Sequence, residues 1–175
     1  MAVRRIFWYG ADILRTPCSD IKKVDEHTLS LVKDMFETMQ TADGVGLAAN
    51  QVGAGDRLVV IRIPENERRK GQSLTMVNPV IKARSEETVA DEEGCLSVPG
   101  VRAEVTRPKL VTVEYYDLDG KLYRVEADGL LARVMQHEID HIDGTVFVER
   151  IPNEIKRELT LELRRIKREE KNRIL

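Results

Sequence analysis

The stretch from Asp128 to Ile142 constrains the fold more than any other part of this chain. Its residue pattern predicts an α-helix, and Gly144 stands where a helix commonly ends. Apolar residues lie on most sides of the predicted helix, which is typical of a helix buried at the centre of a domain. His137 and His141 are four residues apart, so they project from one face, one turn apart. The sequence therefore predicts a central buried helix that carries two imidazoles on one side.

These histidines frame an H-E-x-x-H motif, with Glu138 directly after His137. Two imidazoles at this spacing can bind one metal ion, and the glutamate can take a proton from a water molecule on that ion. Alone, the motif predicts a metal-dependent hydrolase, and a peptidase is the first interpretation. Two histidines do not complete such a site, so a third ligand must come from elsewhere in the chain.

Cys95 is the candidate for the third ligand. It lies between Gly94 and a turn that includes Pro99, where backbone groups can face a ligand. A thiolate there would complete a Cys-His-His set with one open position, which is the arrangement of catalytic rather than structural metal sites. The other cysteine, Cys18, has no accompanying motif and is predicted to be a packing residue. Two cysteines do not suggest a disulfide scaffold.

The rest of the chain alternates between helical and strand patterns, without an internal repeat or a long linker. We therefore predict an α+β fold, with mixed or antiparallel β-sheets wrapped around the central helix, in a single domain spanning residues 1–175. The predicted helices cover Asp25–Thr41, with Asp25 as the N-cap, and about 153–173, where an amphipathic C-terminal helix is expected. Strands are predicted over Leu58–Ile63, Val101–Thr106 and Thr145–Val148, and the Asp-Gly pair at 119–120 predicts a hairpin of Leu110–Tyr116 with Leu122–Val125. The remaining segments are an extended segment from Thr88, an apolar run over Leu74–Ile81 broken by Pro79, and a charged loop over Glu65–Gln72.

Composition limits the functional classes. The 175 residues are 42% hydrophobic and 33% charged, with a formal net charge of −2. This profile is ordinary for a soluble globular protein and gives no whole-chain argument for nucleic-acid binding. No apolar run approaches the roughly 20 residues that span a bilayer, and the apolar stretch near the N-terminus is too short for a signal peptide. We expect a cytoplasmic protein with no membrane or DNA partner.

Three motifs occur in order along the chain, and together they are far more specific than any one of them. The combination resembles peptide deformylase of the bacterial type, the family that removes the formyl group from N-formylmethionine of newly synthesised polypeptides. The resemblance covers nearly the whole chain. The motifs are Gly44–Gln51 (GVGLAANQ), Glu93–Ser97 (EGCLS) and Gln136–His141 (QHEIDH).

The resemblance implies a role for each matching residue. Cys95, His137 and His141 would hold one divalent metal ion, which is ferrous iron in cells, although this donor set also accepts zinc, nickel or cobalt. The resemblance also implies catalytic roles for Glu138 as general base and acid and for Gln51 and the backbone N–H of Leu96 as oxyanion donors, and substrate contacts from Val45, Gly46, Arg102, Leu130 and Val134.

The implied partners are N-formylmethionyl nascent peptides. The segment from Ile151 to Leu175 contains eight Lys or Arg and five Glu. Such an excess usually reflects a solvated helix face. The resemblance adds a second hypothesis, in which the C-terminal helix docks on the ribosome near the nascent-chain exit.

Two positions depart from the pattern of the family. Asn50 stands where many relatives have proline, which changes the stiffness of the loop. Arg133 occupies a position near the substrate pocket that is often apolar, and we expect its guanidinium to extend to the rim of that pocket.

Two other functions compete with deformylation. A zinc peptidase of the metzincin kind shares the spacing as far as Gly144, but the chain has Phe147 where that class needs a third histidine. Glu158 or Glu162 could formally replace it, although both lie in the charged tail. A non-catalytic ribosome-binding or metal-binding module is the other alternative, and it would need neither Glu138 nor Gln51.

Overall fold

The computed structural model describes residues 2–65 and 71–174. They form a mixed α+β structure with antiparallel sheets, which confirms the predicted fold class at that level. The helices are α1 (Glu26–Thr41), α2 (Gly129–Ile142), α3 (Asn153–Glu158) and α4 (Thr160–Ile174). The strands are β1 (Gly46–Ala48), β2 (Leu58–Ile63), β3 (Gln72–Arg84), β4 (Thr88–Cys95), β5 (Val98–Pro108), β6 (Val111–Tyr116) and β7 (Leu122–Ala127).

The strands divide into two sheets. Five strands pair in the order β1-β2-β3-β6-β7, and β4 pairs with β5 in a separate two-stranded sheet. All of these pairs are antiparallel. The predicted hairpin is present as β6 and β7, and its turn is closed by Asp117, whose Oδ1 accepts from the N–H groups of Asp119 and Lys121 at 2.9 Å each. Gly120 supplies the positive φ of 79° that this turn requires.

Helix α1 begins as the sequence predicts. The side chain of Asp25 accepts a hydrogen bond from the backbone N–H of Thr28 at 2.9 Å, and this satisfies one of the free donors in the first helical turn. Leu31, Met35 and Met39 recur on one face and are fully buried. They belong to the same apolar cluster as residues of β1 and β2.

Helix α2 is buried along most of its length. Met135, Ile139 and Ile142 share an apolar cluster with Val59 and Ile61 of β2. These five side chains are at most 3% exposed, so the helix has little freedom to shift against the sheet. The backbone that carries His137 and His141 is therefore held rigidly in place.

Two strand predictions need correction. The apolar run broken by Pro79 continues as β3, because the irregularity in its pairing with β6 lies between Val77 and Val80 and a proline is tolerated at a bulge. The predicted strand over Thr145–Val148 is wrong. Its apolar residues instead enter a single turn of 3-10 helix, Phe147–Glu149, and pack into a buried cluster. An apolar run this short does not distinguish a strand from a buried turn.

The C-terminal segment contains two helices rather than one. Leu159 has a ψ angle of −2°, which interrupts the segment between α3 and α4. The hydrogen bonds from Leu159 N to Ile155 O and from Leu163 N to Leu159 O continue across the interruption. The charged loop predicted over Glu65–Gln72 lies largely outside the described residues. Within them, no helix is both long and apolar enough to cross a membrane.

Candidate active site

A cleft of about 600 Å³ brings the three sequence motifs together. One wall comes from β1 and the residues before it, one from the turn between β4 and β5, and one from α2. Every predicted site residue lines this cleft except His141, which lies behind it and is fully buried. The predicted residues on its surface are Val45, Gly46, Gln51, Cys95, Leu96, Arg102, Leu130, Val134, His137 and Glu138.

The side chains of Cys95, His137 and His141 converge. Each offers one possible ligand atom, and these atoms lie within 4.8 Å of one another. The Sγ of Cys95 is 3.1 Å from Nε2 of His141. This donor set suits a divalent transition metal, because thiolate and imidazole are ligands that zinc and iron both accept.

Cys95 is held by its own turn and by a neighbouring loop. It is the last residue of β4, and the backbone N–H of Ser97 donates to its Sγ at 3.3 Å. The side-chain amide of Gln51 donates to the same sulfur at 3.5 Å and to Ser97 Oγ at 3.1 Å. Its carbonyl oxygen accepts from the N–H of Ala48 at 2.8 Å, so both ends of the Gln51 amide are fixed.

Glu93 fixes the orientation of the His137 ring. Its Oε2 lies 2.9 Å from Nδ1 of His137, which leaves Nε2 as the ring nitrogen that could bind a metal ion. Burial alone would raise the pKa of Glu93, but hydrogen bonds from Arg107 and His137 outweigh it and lower that pKa to about 2. Glu93 is therefore ionised near neutral pH, and a carboxylate beside Nδ1 favours the His137 tautomer whose Nε2 is free to bind a metal.

Glu138 has the opposite environment. It is 4% exposed, and among the described residues its Oε2 has no hydrogen-bond partner. Burial is the main reason that its pKa is raised to about 7, and the charges of Glu93 and Asp140 add to that rise. A carboxyl group with a pKa near neutrality can both accept and donate a proton at physiological pH.

Gly46 is required beside Glu138. A Cβ atom at this position would overlap the carboxylate of Glu138. Any larger residue would therefore displace the proposed base or distort β1. Steric exclusion thus explains why the first sequence motif has a glycine at this position, which the spacing of the motif did not reveal.

Comparison with known proteins identifies the family. Residues 3–157 match the family model described as polypeptide deformylase. The chain belongs to the polypeptide deformylase family. It is 46% identical to peptide deformylase 2 of Gloeobacter violaceus over 147 residues. The aligned region covers 83% of this chain and 78% of that protein.

Solved structures agree with this assignment. The crystal structure of the peptide deformylase from Ehrlichia chaffeensis has a TM-score of 0.88 and 37% identity, covering 99% of this chain and 100% of that one. The Ehrlichia enzyme in complex with actinonin also has a TM-score of 0.88, with 38% identity over 97% of this chain and 98% of that chain. The family is metal-dependent and removes the formyl group from N-formylmethionine. These findings support a deformylase rather than a zinc peptidase or a non-catalytic module.

The mouth of the deformylase cleft is partly apolar and partly charged. Val45 and Leu130 are 38% and 40% exposed, whereas Val134, which lies on α2 with Leu130, is buried. The side chain of Arg102 is 70% exposed and pairs with Glu92 at 3.1 Å. The cleft therefore offers an apolar lining and one accessible cation at its edge.

Sequence reasoning missed the ion-pair network behind the cleft. Arg107 donates to both oxygens of Glu93, at 2.5 and 2.9 Å, and to Asp140 Oδ2 at 2.8 Å. Asp140 also accepts from Arg150, at 2.6 and 3.1 Å. Glu93 and Asp140 both lie inside recognised motifs. Their partner Arg107 has no motif, so no signal in a single sequence points to it.

Arg133 does not extend to the rim as the sequence suggested. Its side chain is only 11% exposed, and its guanidinium lies against Glu93 at 2.7 Å. The ion pair with Glu93 therefore determines the position of the Arg133 guanidinium more than its solvation by water does.

Proposed function

We propose that Cys95, His137 and His141 hold the catalytic metal ion of this deformylase. The observation that carries the proposal is the convergence of one thiolate and two imidazole nitrogens within 4.8 Å, beside a buried carboxyl group. The hydrogen bond from His137 to Glu93 supports it, since ligating histidines usually have such a partner. Ferrous iron is the ion that we propose in cells, and zinc, nickel and cobalt also suit the donors.

Glu138 is the proposed general base and acid. A bound divalent ion would make a water molecule more acidic and would polarise the formyl carbonyl. Glu138 accepts a proton from that water molecule while the oxygen of the water attacks the formyl carbon. It then donates the proton to the amine nitrogen as the carbon–nitrogen bond breaks, which yields formate and a free amino terminus.

Gln51 and the backbone N–H of Leu96 are the proposed donors to the oxyanion. The carbonyl oxygen of the formyl group gains negative charge during attack, and fixed donors stabilise that charge without reorganising. The amide of Gln51 meets this requirement because Ala48 and Ser97 hold both of its ends. Leu96 immediately follows Cys95 and lines the same cleft.

The substrate contacts that we propose follow the lining of the cleft. Val45, Leu130 and Val134 receive the unbranched methionine side chain, and Gly46 contacts the peptide backbone. Arg102 is the accessible cation at the mouth and lies near the peptide that leads away from the formyl group. A formyl group carries only hydrogen beyond its carbonyl, so a narrow site can accept it and exclude larger acyl groups.

The whole chain, residues 1–175, is proposed to act as one deformylase domain in the cytoplasm. In this arrangement the sheets enclose α2 as the central helix that carries the H-E-x-x-H motif, and the C-terminal helices α3 and α4 pack on the outside. Nascent formylmethionyl peptides are the proposed partners. Docking of the basic C-terminal segment on the ribosome is a further part of the proposal, and unchanged ribosome co-sedimentation of a chain truncated after Pro152 would contradict it.

Formate release from a formyl-Met peptide tests the function directly. We expect release by the metal-loaded protein and none of comparable rate from the acetyl-Met peptide of the same sequence. An assay for cleavage of an internal peptide bond serves as the comparison, because a zinc peptidase would cut such a bond and a deformylase would not. Elemental analysis after anaerobic purification identifies the ion, and a Cys95→Ala variant with unchanged metal content would remove Cys95 from the ligand set.

A further inference from the structure

Arg133 makes an unusual set of contacts for a residue in a substrate-cleft wall. It lies one helical turn before His137 on α2, and its Nη1 donates to Glu93 Oε1 at 2.7 Å and to the carbonyl oxygen of Val105 at 2.9 Å. Its Nη2 donates to the carbonyl oxygen of Val89 at 2.8 Å. One guanidinium therefore joins α2 to β4, to β5 and to the carboxylate that orients His137.

This connection matters because the proposed ligands belong to separate parts of the fold. His137 and His141 are on α2, which packs against the five-stranded sheet, whereas Cys95 ends β4 in the two-stranded sheet. The strands of the two sheets do not pair with each other within residues 2–65 and 71–174. Side chains that cross from α2 to the β4–β5 sheet therefore help to set the distance from the sulfur to the imidazoles.

Arg133 is not redundant with Arg107, which also contacts Glu93. Arg107 projects from β5. Its bonds to Glu93 on the adjacent strand lie within the small sheet, and its bond to Asp140 links that sheet to α2 at a different point from Glu93. Arg133 reaches the same carboxylate from the helix. It also bonds backbone carbonyls of both strands, which fixes the main chain of the small sheet rather than only a side chain.

We propose that Arg133 is a positioning residue for the metal centre, which rests on the metal site proposed above. It holds Glu93 against His137 and holds the β4–β5 sheet at the distance from α2 at which Cys95 completes the cluster. It touches neither the reacting atoms nor the ion. Arg133 lines the cleft, but its side chain is only 11% exposed and its guanidinium is bonded to Glu93.

Cobalt binding to the full-length protein tests this role. The wild type, Arg133→Met and Arg133→Lys would be freed of metal and titrated with Co²⁺ against a chromophoric chelator, with the cobalt–thiolate absorption band recorded. We expect Arg133→Met to bind Co²⁺ about 10-fold more weakly, as removal of outer-shell partners typically does, and to show a weaker thiolate band. In the cobalt enzyme, kcat should fall more than KM rises. Arg133→Lys should recover part of both losses, because a single ammonium can pair with Glu93 but cannot bond all three acceptors.

Arg124→Met is the matched control. Arg124 lies on β7, is largely exposed and pairs with Glu114, away from the cleft. It should bind Co²⁺ as the wild type does. If Arg133→Met has lost thermal stability but binds Co²⁺ with the affinity and spectrum of the wild type, its role is merely structural and the proposal is overturned. If Arg133→Met does not fold, Arg133→Lys is judged by the same two measurements. If the wild type itself binds no Co²⁺, the metal site of the proposed function fails, which is a separate result.

Discussion

Two glutamates beside His137 are buried to almost the same extent but titrate in opposite directions. Glu93 is 5% exposed and Glu138 is 4% exposed. The pKa of Glu93 is lowered to about 2, whereas that of Glu138 is raised to about 7. Burial opposes the charged form in both cases, so the difference comes from their partners. Glu93 accepts hydrogen bonds from Arg107 and Arg133, whereas within residues 2–65 and 71–174 no cation donates a hydrogen bond to Glu138.

This difference supports two separate roles for two residues of the same type beside one imidazole. A carboxylate with fixed cationic partners cannot exchange protons near neutral pH, but it can hold an imidazole in place. A buried carboxyl group whose pKa lies near neutrality can exchange them. Substitutions at and beside the two glutamates, and the dependence of stability on pH, test this division of roles.

Glu138→Gln should reduce kcat by about 10³- to 10⁴-fold, because an amide cannot take the proton from water. The metal content should stay that of the wild type, since Glu138 is not among the three converging donors. Formate release and elemental analysis measure the two quantities. Glu104→Gln, an exposed change on β5, is the control. Deformylation at a near-normal rate in Glu138→Gln would end the assignment of the base.

Glu93→Ala should destabilise the fold by about 3–5 kcal/mol, because it leaves the buried Arg107 without its main partner. The free energy of unfolding from denaturant titration measures this loss. The neighbouring Glu92→Ala removes only an exposed pair, so its effect should stay below about 1 kcal/mol. Equal losses in the two variants would show that the buried network does not distinguish Glu93.

Gly46→Ala should lower kcat by about 10²-fold, because the new methyl group would displace the Glu138 carboxylate by a distance that matters for proton transfer. The variant tests the position of Glu138 without changing its chemistry. Gly55→Ala is the control, since a Cβ there would meet no atom within 4 Å. Full activity in Gly46→Ala would mean that Glu138 tolerates movement.

Acid should weaken the metal-free protein partly through Glu93. The pKa of this group is lower in the folded chain than its ordinary value of 4.5. Its contribution to stability is therefore present above about pH 4.5 and is lost as the pH falls toward about 2. Glu93→Gln should show a shallower dependence of the free energy of unfolding on pH in that window. Parallel curves for the variant and the wild type would contradict the lowered pKa.

Local sequence patterns predicted the parts of the fold that local physics controls. The cap at Asp25, the periodicity of α1 and the Asp-Gly turn each depend on residues within a few positions of one another. The convergence of Cys95 with the two histidines came from recognising three motifs together. Neither composition nor spacing could place Arg107 or Arg133, because their partners are 14 to 44 residues away and depend on strand register.

The separation of the two sheets has a consequence for slow motions. In the part of the chain that the structure describes, β4 and β5 pair with each other and not with the larger sheet. We therefore expect their amides to exchange with solvent in an opening that leaves the five-stranded sheet intact. Such an opening would move Cys95 away from both histidines while the histidines kept their places on α2. Hydrogen exchange in β4 and the rate at which the Cys95 thiol is oxidised should therefore rise and fall together, independently of global unfolding.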